Sequence, residues 1–328
     1  MRNPKVSVVI PVYNAALYLK KALNSLLNQT YKNIEIVLIN DGSTDNSLNV
    51  IRSYQKLYHN IKVINQKNFG PGVARNRGIE ISSGTYLMFL DADDFFEESY
   101  CAEAVNLMKN SHSNFSCFGA NFFNNRGYVH SSFSYKNECL EGDKILKSFL
   151  RGGKIKSVVW NKIYLKSFLD EFNIRFNSNQ VNEDSLFVLK AASHANKISI
   201  SPKILYNHRS VNTLSYANFI THQHFKSTLE VINAEKKYLE DLNLFRSNKP
   251  DFDIHIAKIY THMLYLGATS NININYYIDC ANIILRSELW LSLAQERFWL
   301  LPFGIKLRIS ISSWPRILWF YGRFLRIL

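Results

Sequence analysis

Tyr86-Leu87-Met88-Phe89-Leu90-Asp91-Ala92-Asp93-Asp94 runs from an apolar stretch straight into a cluster of carboxylates. A short, unbroken apolar run bounded by polar residues fits a strand buried on both faces, and such strands belong to mostly parallel sheets. In open α/β sheets, ligands bind at the carboxyl ends of the strands. The run therefore puts Asp91, Asp93 and Asp94 at the open edge of a sheet. Hard carboxylate oxygens there suit Mg²⁺ or Mn²⁺, and those ions in turn hold phosphates. Carboxylates crowded this closely repel one another, a cost that a bound cation removes. The plainer alternative is a turn, with Asp93 or Asp94 capping a helix that begins near Glu97.

Upstream, apolar runs alternate with helical patterns. The pattern predicts strands over 6–12, 34–40 and 61–65, and helices over 16–28, 45–57 and 72–82. With 86–90 as a fourth strand, this βα alternation implies a mostly parallel sheet with right-handed crossovers. Downstream the pattern loosens. It predicts a strand over 115–123, a helix over 184–195 and a strand over 198–206 interrupted by Pro202. Helices over 225–244, 254–266 and 277–293 follow, so the expected division is a catalytic domain over 1–215 and a helical region over 216–328.

Two turns after the early strands carry polar groups. In Asn40-Asp41-Gly42-Ser43-Thr44-Asp45, a tight glycine turn and an N-cap account for Gly42, Ser43 and Asp45. Asp41 ends its strand, where a carboxylate accepts hydrogen bonds from a base edge. Gly70-Pro71-Gly72-Val73-Ala74-Arg75 fails the dinucleotide fingerprint, because Arg75 stands where the third glycine belongs. A glycine-rich turn feeding a helix still offers N–H groups to an anion, and Arg75 and Arg77 add guanidinium donors. Arginines near a helix start oppose the macrodipole, which points to an anionic partner rather than a solvated face. Further on, Asn182-Glu183-Asp184 opens an apolar helix, where it serves either as a cap or as a general base. Tyr206-Asn207-His208-Arg209 offers a histidine for a metal and an arginine for phosphate, although a lone histidine is more often structural.

Composition bounds the partners. The 328 residues carry a net charge of +13, which favours anionic partners such as nucleotides, nucleic acid or a membrane surface. The four cysteines show no C-x-x-C spacing, which argues against a disulfide framework or a structural zinc site and for reduced, cytosolic thiols. Residues 6–13 are too short an apolar run for a signal peptide, and no uncharged apolar stretch is long enough to span a bilayer.

Taken in order, Val6-Ser7-Val8-Val9-Ile10-Pro11-Val12-Tyr13-Asn14, Asn40 to Asp45, Gly72 to Gly78, Asp91-Ala92-Asp93-Asp94, Trp160-Asn161-Lys162-Ile163-Tyr164 and Glu183-Asp184 resemble a family 2 glycosyltransferase, over roughly residues 4–215. The resemblance implies an α/β fold of the GT-A nucleotide-diphosphosugar transferase type, a mostly parallel sheet flanked by helices, with a C-terminal helical extension. It implies an inverting transfer of a sugar from a nucleotide-diphospho-sugar, a UDP-sugar foremost, to an acceptor hydroxyl, with Mg²⁺ or Mn²⁺. Asp41 would meet the base, with Pro11 and Tyr13 lining its pocket and Arg75 beside the phosphates. Asp91-Ala92-Asp93 would be the DXD motif, with Asp93 on the metal and Asp91 nearer the ribose. Asp184 would be the catalytic base, and His208 resembles a C-terminal metal-binding histidine. Asn40 departs from the family pattern, where an Asp is common, and leaves Asp41 in place.

Residues 297–328 hold Arg297, Lys306, Arg308, Arg316, Arg323 and Arg326 among many aromatics and no acidic residue. That mixture reads as an interfacial helix on an anionic membrane, against packing on the catalytic domain. The acceptor would then be a glycan or lipid-linked molecule of surface polysaccharide synthesis (capsule, O-antigen or lipopolysaccharide), and the protein would lie on the cytoplasmic face of the membrane. Against this reading stand a non-catalytic nucleotide-sugar-binding scaffold, a nucleotidyltransferase and a nucleic-acid binder. The chain carries no recognised nucleic-acid motif, and no glycine-rich phosphate loop follows its first strand, where Pro11 to Asn14 stand.

Overall fold

The computed structural model describes residues 3–124, 126–177, 183–210, 221–270, 272–292 and Pro315. They divide into two compact units: 3–146 with 154–177 and 183–210, and 147–153 with 221–292. The domain boundary expected at 215/216 falls in residues 211–220, outside the described residues.

The first unit begins with β1 (Val6–Val12), α1 (Ala16–Leu27), β2 (Ile34–Asp41), α2 (Ser47–Leu57), β3 (Ile61–Gln66), α3 (Pro71–Ile81) and β4 (Tyr86–Phe89). All of these elements stand where hydrophobic periodicity puts them. β1 pairs in parallel with β2 on one side and β4 on the other, and β2 pairs in parallel with β3. The chain thus winds outward from β1 to β3 and returns to the opposite side of β1. That reversal is a topological switch point, and it opens a crevice beyond the carboxyl ends of β1 and β4. Val6, Val8, Val9 and Ile10 are fully buried, as a strand covered on both faces requires. Gly78 lets α3 settle onto this sheet. A Cβ there would stand 2.2 Å from Val9 Cγ1.

Beyond β4 the sheet changes character. β5 (Phe95–Phe96), α4 (Tyr100–Ser111), β6 (Phe115–Phe123), β7 (Val129–Phe133), β8 (Glu138–Glu141), α5 (Asp143–Leu150), β9 (Lys162–Leu165), α6 (Lys166–Glu171), α7 (Glu183–His194) and β10 (Lys197–Arg209) follow. The sheet order is β3-β2-β1-β4-β9-β6-β10-β5, with β7 on β6 and β8 on β10. β9 is antiparallel to both β4 and β6, while β10 runs parallel to β6. The interruption expected at Pro202 is a register shift between Ile200 and Ile204 within one continuous strand. A bulge accommodates the missing N–H there. The helix expected near Glu97 begins instead at Tyr100, after β5 pairs with β10.

The second unit is helical: α8 (His222–Asp241), α9 (Phe245–Thr269), α10 (Ile274–Leu285) and α11 (Glu288–Leu291). α9 starts nine residues before the expected 254 and carries Pro250 inside it. Asn248, Asp251 and Phe252 are buried, so packing overrides the proline penalty. The single helix expected over 277–293 is broken between α10 and α11, where Ser287 caps the second piece. The basic aromatic segment 297–328 lies outside the described residues apart from Pro315.

Candidate functional site

The loops after β1 and β2 lock each other. Asn14 adopts φ 49°, a conformation that asparagine tolerates, and its Oδ1 accepts from the N–H groups of Thr44 and Asp45 at 2.8 and 3.3 Å. Asp45 caps both helices, accepting from Ala16 N at 3.0 Å and Ser47 N at 2.9 Å. Gly42 takes φ 73°, and a Cβ there would stand 2.7 Å from Asn68 N, so the capping-turn reading of Gly42 and Asp45 holds. Pro11 is partly buried at the end of β1, and the Tyr13 ring beyond it is half exposed. Asp41 is buried under the glycine-rich turn and accepts from Gln66 Nε2 at 2.7 Å and from the N–H groups of Phe69 and Gly70 at 2.9 Å each. Its carboxylate therefore braces the turn that launches α3.

Arg75, on α3, is the hub of the site. Its guanidinium donates to Asp91 Oδ1 at 2.8 Å, to Glu183 Oε1 at 2.7 Å and to Asp184 Oδ1 at 3.3 Å. The anion expected for this arginine is thus partly internal. Burial works against its charge, but the three carboxylates more than compensate and hold it cationic. Its Nε is a buried donor with no acceptor among the described residues. Arg77 is exposed and pairs with Glu80 at 3.6 Å. Gly72 lets the start of α7 approach, since a Cβ there would lie 3.3 Å from Glu183 Cγ.

Asp91, Ala92, Asp93 and Asp94 form the turn after β4, and they do different jobs. Asp94 is fully buried and caps no helix, contrary to one of the two expectations. It accepts from Tyr206 Oη at 2.6 Å, from Arg209 N–H at 2.6 Å and from His208 Nδ1 at 2.9 Å. Burial raises its carboxyl pKa in spite of these donors. His208 responds in kind: burial alone would lower it, but the bond to Asp94 and the charges of Asp94, Asp91 and Asp93 raise it overall. Asp93 is pushed up to about 6 by burial, then by Asp94 and Asp91. Trp160 completes the group, its ring stacked on His208 (5.2 Å between centroids, 6°) and on Tyr206 (4.4 Å, 24°). Sequence reading quoted Trp160 only as part of a motif. Its spacing just ahead of a strand was the available signal for a platform under His208.

These residues form one electrostatic cluster. Arg75 pairs with Asp91, Glu183 and Asp184, and Asp93 and Asp94 adjoin Asp91, an excess of acid in a chain whose net charge is +13. Among the described residues, no group of three or more His, Cys, Asp or Glu side chains is arranged to hold a metal by itself. Asp93 and His208, whose charges influence each other, are the pair whose donor chemistry suits a divalent cation. Burial and the neighbouring Asp94 and Asp91 disfavour a bare charge on Asp93. Asp94 on Nδ1 fixes the imidazole and leaves Nε2 for coordination, the usual carboxylate–histidine–metal relay.

Asp184 lies in the first turn of α7. Arg75 holds its Oδ1, and Val159 N–H donates to its Oδ2 at 3.2 Å. Burial, ahead of the opposing Arg75 charge, pushes its carboxyl up to about 6. A carboxylate near that value is charged at neutral pH and still basic enough to take a proton in a transition state.

With this geometry in place, comparison with known proteins is informative. A family model described as "Glycosyl transferase family 2" matches residues 7–171. The putative glycosyltransferase EpsH of Bacillus subtilis (strain 168) is 29% identical over 261 residues, covering 78% of this chain and 75% of that protein. The crystal structure of S. aureus TarS 1–349 in complex with UDP superposes with a TM-score of 0.70 at 21% identity, covering 98% of this chain and 91% of that one. The mannosyltransferase PcManGT from Pyrobaculum calidifontis, in complex with GDP-Man and Mn²⁺, gives a TM-score of 0.55 at 14% identity over 99% of this chain and 89% of that one. At these identities the two structural likenesses bear on the fold alone.

Proposed function

This chain belongs to glycosyl transferase family 2 and has the GT-A fold, and on that premise we propose that it is a metal-dependent inverting glycosyltransferase that moves a sugar from a nucleotide-diphospho-sugar to an acceptor hydroxyl in bacterial surface polysaccharide synthesis. One observation carries the reading. Asp184, held by Arg75 and Val159 N–H, lies in the same charged cluster as Asp91 and Asp93 at the switch point of the sheet.

Pro11 and Tyr13 would line the pocket of the base, and Asp41, which also braces the turn that launches α3, would meet it. Asp91 is tethered by Arg75 and faces the nucleotide, with Ala92 between it and Asp93. Asp93 and His208 would hold Mg²⁺ or Mn²⁺, which on binding would neutralise the charge that develops on the departing diphosphate. Asp184 accepts the acceptor's hydroxyl proton as that oxygen bonds to the anomeric carbon. The bond from that carbon to the diphosphate oxygen breaks on the opposite face, so the centre inverts. UDP is the donor nucleotide we favour, from the resemblance of the ordered motifs to the family.

The sequence of 297–328 supports docking on an anionic membrane and hence a lipid-linked or membrane-proximal glycan acceptor. Among the described residues no helix is long and apolar enough to cross a bilayer. Co-sedimentation of the full chain with vesicles, lost on removing 297–328, checks this point.

The decisive experiment supplies a panel of UDP-, GDP- and dTDP-sugars with Mn²⁺ and follows nucleotide release. Asp184→Asn should reduce turnover by about 10²- to 10⁴-fold while UDP still stabilises the protein. Undiminished turnover in folded Asp184→Asn would remove Asp184 as the base.

A further inference from the structure

Lys162 opens β9 and is completely buried. An ammonium without water is costly unless its donors find acceptors. Nζ has three: Lys156 O at 2.8 Å, Val158 O at 2.5 Å and Asn161 Oδ1 at 2.7 Å. The Val158 carbonyl shares one planar peptide unit with the Val159 N–H, and no cis peptide occurs among the described residues. In a trans unit the carbonyl and the N–H point in opposite directions. Pinning the carbonyl on one side therefore aims the N–H on the other, and that N–H donates to Asp184 Oδ2.

We propose that Lys162 is a positioning residue for Asp184: its ammonium anchors the Val158 carbonyl, and the rigid peptide unit delivers the Val159 N–H to the carboxylate. This inference rests on the reading of Asp184 as the base. Two further facts agree with it. The Val159 bond is among the influences that lower the Asp184 carboxyl against its burial. Burial, opposed by Cys117 across the strand pair and by Asp184 and aided by Lys156, brings the Lys162 ammonium down to about 8, so it is still mostly charged at neutral pH. Arg75 secures the other oxygen of Asp184 and leaves the Val159 side without another protein donor among the hydrogen bonds described. Removing the ammonium thus frees the Val158 carbonyl, together with the Lys156 carbonyl and Asn161 Oδ1, and leaves the Arg75–Asp184 contact in place.

The test is Lys162→Met in the full chain, which keeps the stem and removes the donors. The readouts are the pH profile of kcat/KM for the sugar donor found in the panel, UDP binding with Mn²⁺, and thermal melting. The acid limb should move up by about 0.5–1 pH unit, the size of one hydrogen bond's preference for the ionised carboxylate, with UDP binding unchanged. A merely structural lysine would lower melting temperature or turnover at every pH and leave the limb where it was. If Lys162→Met does not fold, replacing Val159 by α-hydroxyvaline turns that amide into an ester, which deletes the N–H and weakens the Val158 carbonyl as an acceptor, and should shift the limb in the same direction. An unmoved acid limb in whichever variant folds overturns the proposal. The two readings fail separately: active Asp184→Asn refutes the base, whereas inactive Asp184→Asn with an unmoved limb refutes only Lys162.

Discussion

Replacing Asp93 by asparagine should stabilise the metal-free protein at pH 8 while abolishing its stabilisation by Mn²⁺ with UDP. Burial and the neighbouring Asp94 and Asp91 raise the Asp93 carboxyl from 3.8 to about 6. At ~1.36 kcal/mol per pH unit this corresponds to roughly 3 kcal/mol held against folding when the group is ionised in both states. The side chain keeps some solvent access, so about 1–2 kcal/mol is the realistic yield. The sign follows from proton linkage. With the folded value raised, the native state binds the extra proton between about 4 and 6, and stability falls as pH rises through that window. The gain from Asp93→Asn should therefore be full above pH 7, shrink through pH 6 and vanish near pH 4. Urea melts of chelated wild type and variant at pH 8, 6.5 and 5, each repeated with Mn²⁺ and UDP, measure this. A variant no more stable than wild type at pH 8, or one whose advantage grows on acidification, would refute the argument that crowded charge is stored at Asp93.

Three other perturbations are informative. Arg75→Met should cost about 3–5 kcal/mol in a denaturant melt, because three carboxylates lose their buried partner, and the loss should lessen as pH falls and they protonate. Asp94→Asn removes the carboxylate that orients His208 and should weaken Mn²⁺ affinity in the presence of UDP by about 10- to 100-fold by titration calorimetry. Gly78→Ala drives a Cβ to 2.2 Å from Val9 Cγ1 and should cost about 1–3 kcal/mol, with no change in the pH profile of whatever protein stays folded.

Hydrophobic period alone made the parallel half of the sheet legible, since Val6–Val12, Ile34–Asp41 and Tyr86–Phe89 are buried on both faces and bounded by turn residues. Beyond β4 the strands over 115–123 and 198–206 were legible too, but the short antiparallel pieces were not, for a physical reason. Phe95–Phe96, Glu138–Glu141 and Lys162–Leu165 are too short to show a period, and only their partners define them as strands. The start of α4 was misjudged because Asp94 has a better use than a cap. Its three donors come from Tyr206 to Arg209, more than a hundred residues away in the chain. The candidate acids were visible as clusters at strand ends. What each one touches was not, because Arg75 reaches Glu183 and Trp160 stacks on His208 across separations that no local pattern encodes.

The ion pair between Arg75 and Glu183 joins residues 108 positions apart. During synthesis Arg75 and Asp91 emerge long before Glu183 and Asp184. At the ~5–20 residues per second of translation, that interval is roughly 5–20 s. Over that time the early βα units have their hydrophobic core but hold a guanidinium matched to one carboxylate instead of three. Closing so long a loop is entropically slow, so assembly of the acidic cluster comes late. A chain interrupted before α7 thus retains sheet-forming segments but leaves the guanidinium with Asp91 alone, and the full acidic cluster waits for Glu183 and Asp184.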